Sequence, residues 1–160
     1  MTPPALPAAA PAALAAIARR LLGARAARPA RGDAAPALRP AGRFHLDTVG
    51  HSRHQPALAA IAGPKGPEPR PVRLAAELRL DRTSPAFPDA VAVAVAGDGP
   101  TLAWLGPADA VTLRRALAHR RCRARALPCR ALVTGGWRDR WREGLHGVKL
   151  DLAWPPVLAP

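Results

Sequence analysis

The sequence predicts a small, mainly β fold: an OB-like or SH3-like antiparallel barrel with two short helices, preceded by a low-complexity leader. Three observations support this prediction. Apolar and polar residues alternate in several short runs, which is the pattern of half-buried strands. Glycine and proline residues separate these runs, as they do at turns. The runs give six short strands, and closing such a sheet into a barrel removes its exposed edges.

Residues 1–43 have the composition of a leader. Alanine, proline and arginine dominate this segment, and such a composition buries too little apolar surface to fold. We therefore expect disorder, with one helix over 12–27, where proline is absent. A docking helix or a helix on a membrane surface is the alternative use of that stretch. The folded domain is predicted over 44–155, and 156–160 form a tail.

The first half of the domain predicts a strand followed by a helix. Apolar residues alternate with polar ones over 44–48, and a glycine ends this strand. Ser52 and Gln55 have the spacing of a capping box, so a helix is expected at this point. Gly63 is expected to end the helix, and a loop follows over 63–71. The residues that this helix is expected to bury are Leu58 and Ile61.

The rest of the domain predicts five further strands and a second helix. Pro107 and Asp109 favour a helix start, because proline fixes φ and a carboxylate complements the helix dipole. An irregular connection is expected over 81–88 and a long hairpin loop over 135–147. The predicted strands are 74–80, 91–95, 102–105, 131–134 and 148–154. The residues expected on the inner face of the second helix are Ala110, Leu113 and Leu117.

The net charge of +13 is unevenly distributed along the chain. Residues 1–43 carry +6 and residues 114–142 carry +9, whereas 44–113 and 143–160 each carry −1. A polyanion such as nucleic acid is the natural partner, because neutralised phosphates release their counterions. A solvated surface in a bacterial chain with a GC-rich genome is the alternative interpretation of the 22 arginines.

No constellation of residues indicates an enzyme. The chain contains no G-x-x-x-x-G-K-[ST] motif and hence no P-loop for ATP. Asp81 and Asp89 form a close acidic pair without a partner base, which is weak evidence for acid–base catalysis. Ser52 lies near two histidines in sequence, but such adjacency does not make a catalytic triad. We therefore expect no catalytic residues and no cofactor.

The spacing of the histidines and cysteines does not predict a metal site. Zinc sites usually contain two tight pairs of ligands, and each cysteine here stands singly. Two cysteines form no disulfide framework, which is compatible with a reducing cytoplasm, and no apolar run is long enough to span a bilayer. The residues weighed as ligands are His119, Cys122, Cys129 and His146, with His45, His51 and His54 as a second set.

Tryptophans within basic sequence favour nucleic-acid binding. Aromatic rings accept stacked bases, and arginine guanidinium groups hold phosphates or stack as well. The run 137–142, Trp-Arg-Asp-Arg-Trp-Arg, combines both kinds of side chain in one loop. Trp104 also lies near basic sequence, but its alternation with Leu102 makes a role in the core equally compatible with the pattern. Trp154 is expected to pack in the core.

Three segments, in this order and spacing, resemble the HIRAN domain, a small β-rich module that binds DNA and is often joined to helicases. The matches to its Val-Gly-Glu-Ser-His-Tyr-Gln turn are Val49, Gly50, Ser52 and Gln55. The matches to its Asn-Pro-Tyr-Asp-x-Asn-Ala-Val hallmark are Pro85, Ala90 and Val91. Residues 102–105 correspond to its Val-Gly-Tyr-Leu segment, and a helix at Pro107 follows. The resemblance covers about Phe44 to Trp154.

The resemblance implies an OB-like barrel that grips the 3′ end of single-stranded DNA with aromatic and acidic residues of the hallmark loop. Ala86 and Phe87 stand at the matching positions here. Ala86 cannot stack on a base, and Phe87 cannot accept a hydrogen bond from a terminal hydroxyl. The resemblance therefore implies the scaffold more strongly than the end-specific pocket.

We accordingly expect a HIRAN-like module that binds single-stranded or distorted DNA in repair or replication, through arginine–phosphate contacts and aromatic stacking. No helicase motor lies in the chain, so a helicase or nuclease partner would supply any remodelling. The alternative is a degenerate HIRAN-like module that has lost DNA binding and serves protein interactions. The predicted nucleic-acid-binding residues are Arg53, His54, Phe87, Trp104, Trp137, Arg138, Arg140 and Arg142.

Overall fold

Six antiparallel strands close into a barrel, which confirms the predicted fold class. The computed structural model describes residues 37–80 and 89–158. Its strands are β1 Leu46–Val49, β2 Val72–Arg79, β3 Ala92–Val95, β4 Thr101–Leu105, β5 Ala126–Gly135 and β6 His146–Leu150. Its helices are α1 Gln55–Ala62 and α2 Pro107–His119, and a 3-10 turn, His51–His54, precedes α1. The predicted helix over 12–27 and connection over 81–88 lie outside the described residues.

The strand order around the barrel is β1-β4-β3-β2-β5-β6, and β6 pairs back with β1. The interior is filled by leucine and valine side chains, because alternate residues of each strand point inward. All four residues of β3 are buried, so both of its faces are covered. The inner face of α2 is buried as predicted, through Ala110, Leu113 and Leu117. In α1, Leu58 is fully buried and Ile61 packs against the core.

The register defines two ends of the barrel. Gly135 of β5 lies opposite His146 of β6 at one end, and Ala126 of β5 lies opposite Arg79 of β2 at the other. We call the first the hairpin end; it comprises 50–71, 96–100 and 136–145. We call the second the helix end; it comprises α2 and residues 120–125.

The bounds of two strands, β5 and β6, differ most from the prediction. β5 begins at Ala126, five residues before the predicted start at Ala131, and the last strand is His146–Leu150 instead of 148–154. Pro128 hides the early part of β5 in the sequence, since proline is unusual inside a sheet. It is tolerated here because β6 pairs with β5 only from Ala131 onward, which leaves the first half of β5 with an open edge.

The predicted capping box at α1 is wrong. The helix begins without any side-chain cap. The Gln55 amide instead donates to the carbonyls of His51 and His146, at 3.0 and 2.8 Å, and its Oε1 accepts from the His146 backbone N–H at 2.9 Å. A partner 91 residues away satisfies both halves of the amide, and the side chain of Ser52 is left exposed.

Short segments on both sides of the predicted domain join the barrel. Leu38, in the predicted leader, forms a bridge with Leu158, in the predicted tail, and both are 7% exposed. The Arg39 backbone N–H donates to the Val157 carbonyl at 2.9 Å, and the Ala153 N–H donates to the Arg39 carbonyl at 2.9 Å. The folded body therefore extends past the predicted limits at 44 and 155. Neither of the two described helices is long and apolar enough to cross a membrane.

Candidate nucleic-acid interface

The hairpin between β5 and β6 continues beyond the barrel ladder with regular backbone pairing. The Gly136 N–H donates to the Leu145 carbonyl at 3.2 Å, and the Gly144 N–H donates to the Trp137 carbonyl at 2.8 Å. Arg138 and Glu143 then form a bridge across the two arms. The loop predicted over 135–147 is therefore a hydrogen-bonded extension of the β5–β6 hairpin. Its paired backbone can hold side chains in defined positions.

A tight turn at the tip of this hairpin presents Trp141 to solvent. The Asp139 N–H donates to the Arg142 carbonyl at 2.9 Å. One carboxylate oxygen of Asp139 accepts from the backbone N–H groups of Trp141 and Arg142, each at 2.7 Å, in the manner of an Asx turn. The Trp141 side chain is 81% exposed, and the Arg140 guanidinium lies 5.2 Å from its ring centroid. The tip thus exposes the Trp141 indole to solvent beside Arg140 and Arg142.

Trp137 has a different environment from Trp141. Its indole lies directly against Gly144, where any side chain would collide with the ring. Its strand also forms a bridge with Gly66, whose carbonyl accepts from the Arg138 N–H at 2.7 Å. Trp137 is half-buried as a result. Its ring therefore stiffens the hairpin and has only part of its surface available for a base.

Glu143 neutralises much of the charge at the base of the tip. Its carboxylate accepts from Lys65 Nζ at 2.8 Å and from Arg138 Nη2 and Nε at 2.6 and 3.0 Å. The hydrogen bonds from Lys65 and then Arg138 lower the pKa of Glu143 to about 2. Arg138 therefore has a carboxylate partner, whereas Arg140 and Arg142 project from the tip with exposed side chains.

The 3-10 turn brings the predicted residues Arg53 and His54 to the same end of the barrel. Gly50 precedes the turn at φ 71, and its carbonyl accepts from the Arg53 N–H at 3.2 Å. The half-buried Trp104 ring packs over Gly50, and a Cβ atom there would lie 2.9 Å from Trp104 Cδ1. Gly50 is therefore required by both its left-handed backbone and this contact. The Arg53 side chain is exposed beside the turn.

His146 and Gln55 join this turn to the hairpin. Gln55 bonds the backbone of His51 in the turn and of His146 at the base of the hairpin. The His146 side chain is 2% exposed, and both of its ring nitrogens lack a hydrogen-bond partner among the described residues. Burial, and then the positive charge of Lys65, lower the pKa of His146. The contact between the 3-10 turn and the hairpin thus contains an imidazole whose neutral form is favoured.

His54 is also held in its neutral form more strongly than a free histidine. Burial lowers its pKa, and the neighbouring charge of Arg53 lowers it further. Near neutral pH this side chain therefore presents a flat uncharged ring and a hydrogen-bonding nitrogen. It does not add to the positive charge at the hairpin end.

Six of the eight predicted binding residues lie in the segments of the hairpin end: Arg53, His54, Trp137, Arg138, Arg140 and Arg142. Trp104 lies in β4, and its ring packs over Gly50 of that end. Phe87 lies outside the described residues. Trp141, which the sequence-based site omitted, has the most exposed ring of the hairpin. The sequence signal that would have singled it out is Asp139, because an aspartate favours a tight turn through a bond to the backbone two residues on, and the residues of such a turn lie at the surface.

The basic stretch 114–142 does not form one surface. Strand β5 runs through its middle, so 114–125 lies at the helix end and 138–142 at the hairpin end.

Within 37–80 and 89–158, no group of three histidine, cysteine or acidic side chains is arranged to hold a metal ion. No family model, no curated protein and no solved structure matches the chain.

Proposed function

We propose that this protein is a HIRAN-like module that binds single-stranded or distorted DNA at the hairpin end of its barrel. The observation that carries the proposal is the exposed Trp141 indole, held at a rigid tip beside Arg140 and Arg142. Stacking on an exposed ring tolerates any base, and the adjacent guanidinium groups reach the phosphates on either side. This combination fits a single strand, because paired bases do not offer their faces.

The 3-10 turn extends the proposed binding surface. Arg53 supplies a further charge, and His54 and Trp104 supply partly exposed rings at the same end of the barrel. A strand that stacks on Trp141 would continue across the hairpin base toward these residues. Free Cys122 and Cys129 are compatible with the cytoplasmic setting that we propose for this activity.

The test is a titration of the full chain against a short labelled oligothymidine strand, followed by fluorescence anisotropy at several salt concentrations. Each phosphate that is neutralised contributes about −0.7 to the slope of log K against log salt. We expect a slope of about −2, from Arg53, Arg140 and Arg142. A slope near zero would contradict the electrostatic part of the proposal.

Two variants of Trp141 separate stacking from charge. Loss of one stacked base costs about 1–3 kcal/mol, so Trp141→Ala should weaken binding roughly 5- to 150-fold with an unchanged salt slope. Trp141→Phe keeps a ring and should restore most of the affinity. Equal affinities for the wild type and the alanine variant would remove stacking on this residue from the account.

The second candidate function is a protein-interaction module that no longer binds DNA. The pairing of Glu143 with Lys65 and Arg138 favours it, because it reduces the charge available to phosphates. Arg53→Ala and Trp104→Ala distinguish the two functions. Unchanged DNA affinity in both variants, with an unchanged circular dichroism spectrum, would support the interaction module.

A further inference from the structure

The helix end carries a dense cluster of arginines that have no acidic partner among the described residues. Residues 114–125 contain six arginines and no aspartate or glutamate. Arg114 is held against the body, since it donates to the carbonyls of Asp89 and Ala90, each at 2.9 Å. The other five are exposed, and none of them forms an ion pair with a described residue. These five form what we call the arginine cluster: Arg115, Arg120, Arg121, Arg123 and Arg125.

The backbone of the cluster is fixed by the end of α2. The Arg121 N–H donates to the Ala118 carbonyl at 3.0 Å, and the Cys122 N–H donates to the Leu117 carbonyl at 2.9 Å. These two bonds make a Schellman motif, in which the residue in the place of Arg121 adopts a left-handed conformation. The φ of Arg121 is 52°. At the far side, the Leu80 N–H donates to the Arg125 carbonyl at 2.9 Å and anchors the start of β5.

Arginine at this left-handed position makes the fold less stable than glycine would. Glycine is the usual residue there, because its lack of a Cβ atom removes the steric conflict with the backbone. A strained non-glycine residue is an indication of function when a second observation agrees with it. The second observation here is the absence of any acidic partner among the described residues around four further exposed arginines.

The helix dipole does not account for the cluster. The carboxyl end of a helix carries about half a negative charge, which one cation in the last turn offsets. His119 and Arg120 already stand at that place. The remaining arginines have no ion-pair partner in the part of the chain that the structure describes, so they can attract an external anion.

The chemistry of the cluster selects the phosphate backbone of a duplex. The only ring between 114 and 125 is the imidazole of His119, so unpaired bases find no tryptophan, tyrosine or phenylalanine face to stack on. A membrane surface is disfavoured, because the one large apolar side chain that α2 exposes is a single valine, Val111, one turn before Arg115. Arginines at fixed positions suit the regularly spaced phosphates of a rigid double helix.

We propose that the arginine cluster is a second, independent site, which binds the phosphate backbone of duplex DNA without reading its sequence. It lies at the opposite end of β5 from the hairpin, about 30 Å away along ten residues of strand. If the hairpin end binds a single strand, the two sites together fit a junction between duplex and single-stranded DNA. That last step rests on the proposed function, whereas the duplex site does not.

The test compares two glycine substitutions at left-handed residues. Arg121→Gly removes one charge from the cluster and also relieves the backbone, so its melting temperature should stay equal or rise. Asp98→Gly is the matched control, because Asp98 has φ 60 and lies in the turn after β3 at the hairpin end. Binding to a short blunt-ended DNA duplex is measured against salt for both variants.

We expect Arg121→Gly to make the salt slope shallower by about 0.9, and the combined substitution of Arg120, Arg121 and Arg123 by glutamine to remove roughly 2.7. Asp98→Gly should leave the duplex slope unchanged. Trp141→Ala should weaken oligothymidine binding and leave duplex binding intact, so that failure at one site is distinguishable from failure at the other.

Either of two results would overturn the duplex site. One is a triple glutamine variant that stays folded and keeps the wild-type slope on duplex DNA. The other is cluster-dependent binding to phosphatidylserine vesicles that exceeds binding to the duplex at equal phosphate concentration, which would assign the cluster to a membrane surface.

Discussion

The two ends of the barrel differ in the nucleic-acid contacts that they can make, namely base stacking and phosphate binding. The hairpin end has an exposed ring, but Glu143 and Asp139 stand among its cations. The helix end has five exposed arginines without acidic partners among the described residues, but its only ring between 114 and 125 is the His119 imidazole. The exposed Trp141 ring and the arginine cluster, which lie close together in the sequence, are separated in the structure by the length of β5. Each end therefore suits a different form of nucleic acid.

The largest expected effect comes from a substitution that breaks the hairpin end alone. Leucine at position 144 would collide with the Trp137 ring and displace the tip. Gly144→Leu should therefore weaken oligothymidine binding by about tenfold or more, since both the stacking and the tip arginines are misplaced. Duplex binding should not change. Gly66→Ala is the control, because a Cβ atom at that glycine meets no other atom within 4 Å.

Removal of the Glu143 carboxylate should strengthen the phosphate contacts of the hairpin end relative to its base stacking. Glu143→Gln frees Arg138 and Lys65 for phosphate, so we expect tighter oligothymidine binding and a salt slope steeper by about 0.7 for each of these two cations, or about 1.4 for both. The measurement is the same anisotropy titration. A fall in affinity would mean that Glu143 contributes more by holding the hairpin than it costs by its charge.

Acid should loosen the hairpin end before the helix end. The pKa of His146 in the folded protein lies below its ordinary value of 6.5, so the unfolded chain binds the proton first. The free energy of unfolding should be constant above about pH 7 and decline as the pH falls through 6.5 toward the folded pKa. Hydrogen exchange at pH 7 and pH 5 checks this, with lower protection factors expected at pH 5 in 136–146, after correction for the intrinsic exchange rate at each pH.

The control for this prediction is His146→Gln, which cannot titrate. Its unfolding free energy should depend less on pH over the same interval, although His54, whose pKa is also lowered, retains part of the dependence. Equal acid sensitivity of 136–146 and 115–125 in the wild type would contradict the assignment to one end.

The smallest expected effect concerns the end of the DNA strand. A hydrogen bond of about 1 kcal/mol to a terminal hydroxyl would change the affinity about fivefold. Ala86 and Phe87 replace the residues that the HIRAN resemblance assigns to that contact. Blocking the 3′ hydroxyl of the oligothymidine strand should therefore alter its affinity by less than about twofold. A larger loss would show that another residue recognises the end.

Local sequence patterns were sufficient for the barrel, because each strand carries its own alternation and each helix its own spacing. They failed where a distant partner decides the outcome. Gln55 bonds His146 rather than capping α1, and only the barrel brings these two residues together. Pro128 hides the start of β5, since its tolerance depends on where β6 ends. The exposure of Trp141 and the half-burial of Trp137 likewise depend on hairpin contacts with Asp139 and Gly144.

The most direct test of the account is one NMR experiment on the isotope-labelled full chain. Backbone amides and the four indole N–H groups are followed while oligothymidine is added. We predict that the Trp141 indole and the amides of 138–145 shift, with smaller shifts over 51–54, while 115–125 stay unchanged. Shifts confined to 115–125, with a stationary Trp141 indole, would contradict the central claim that the hairpin end binds the single strand.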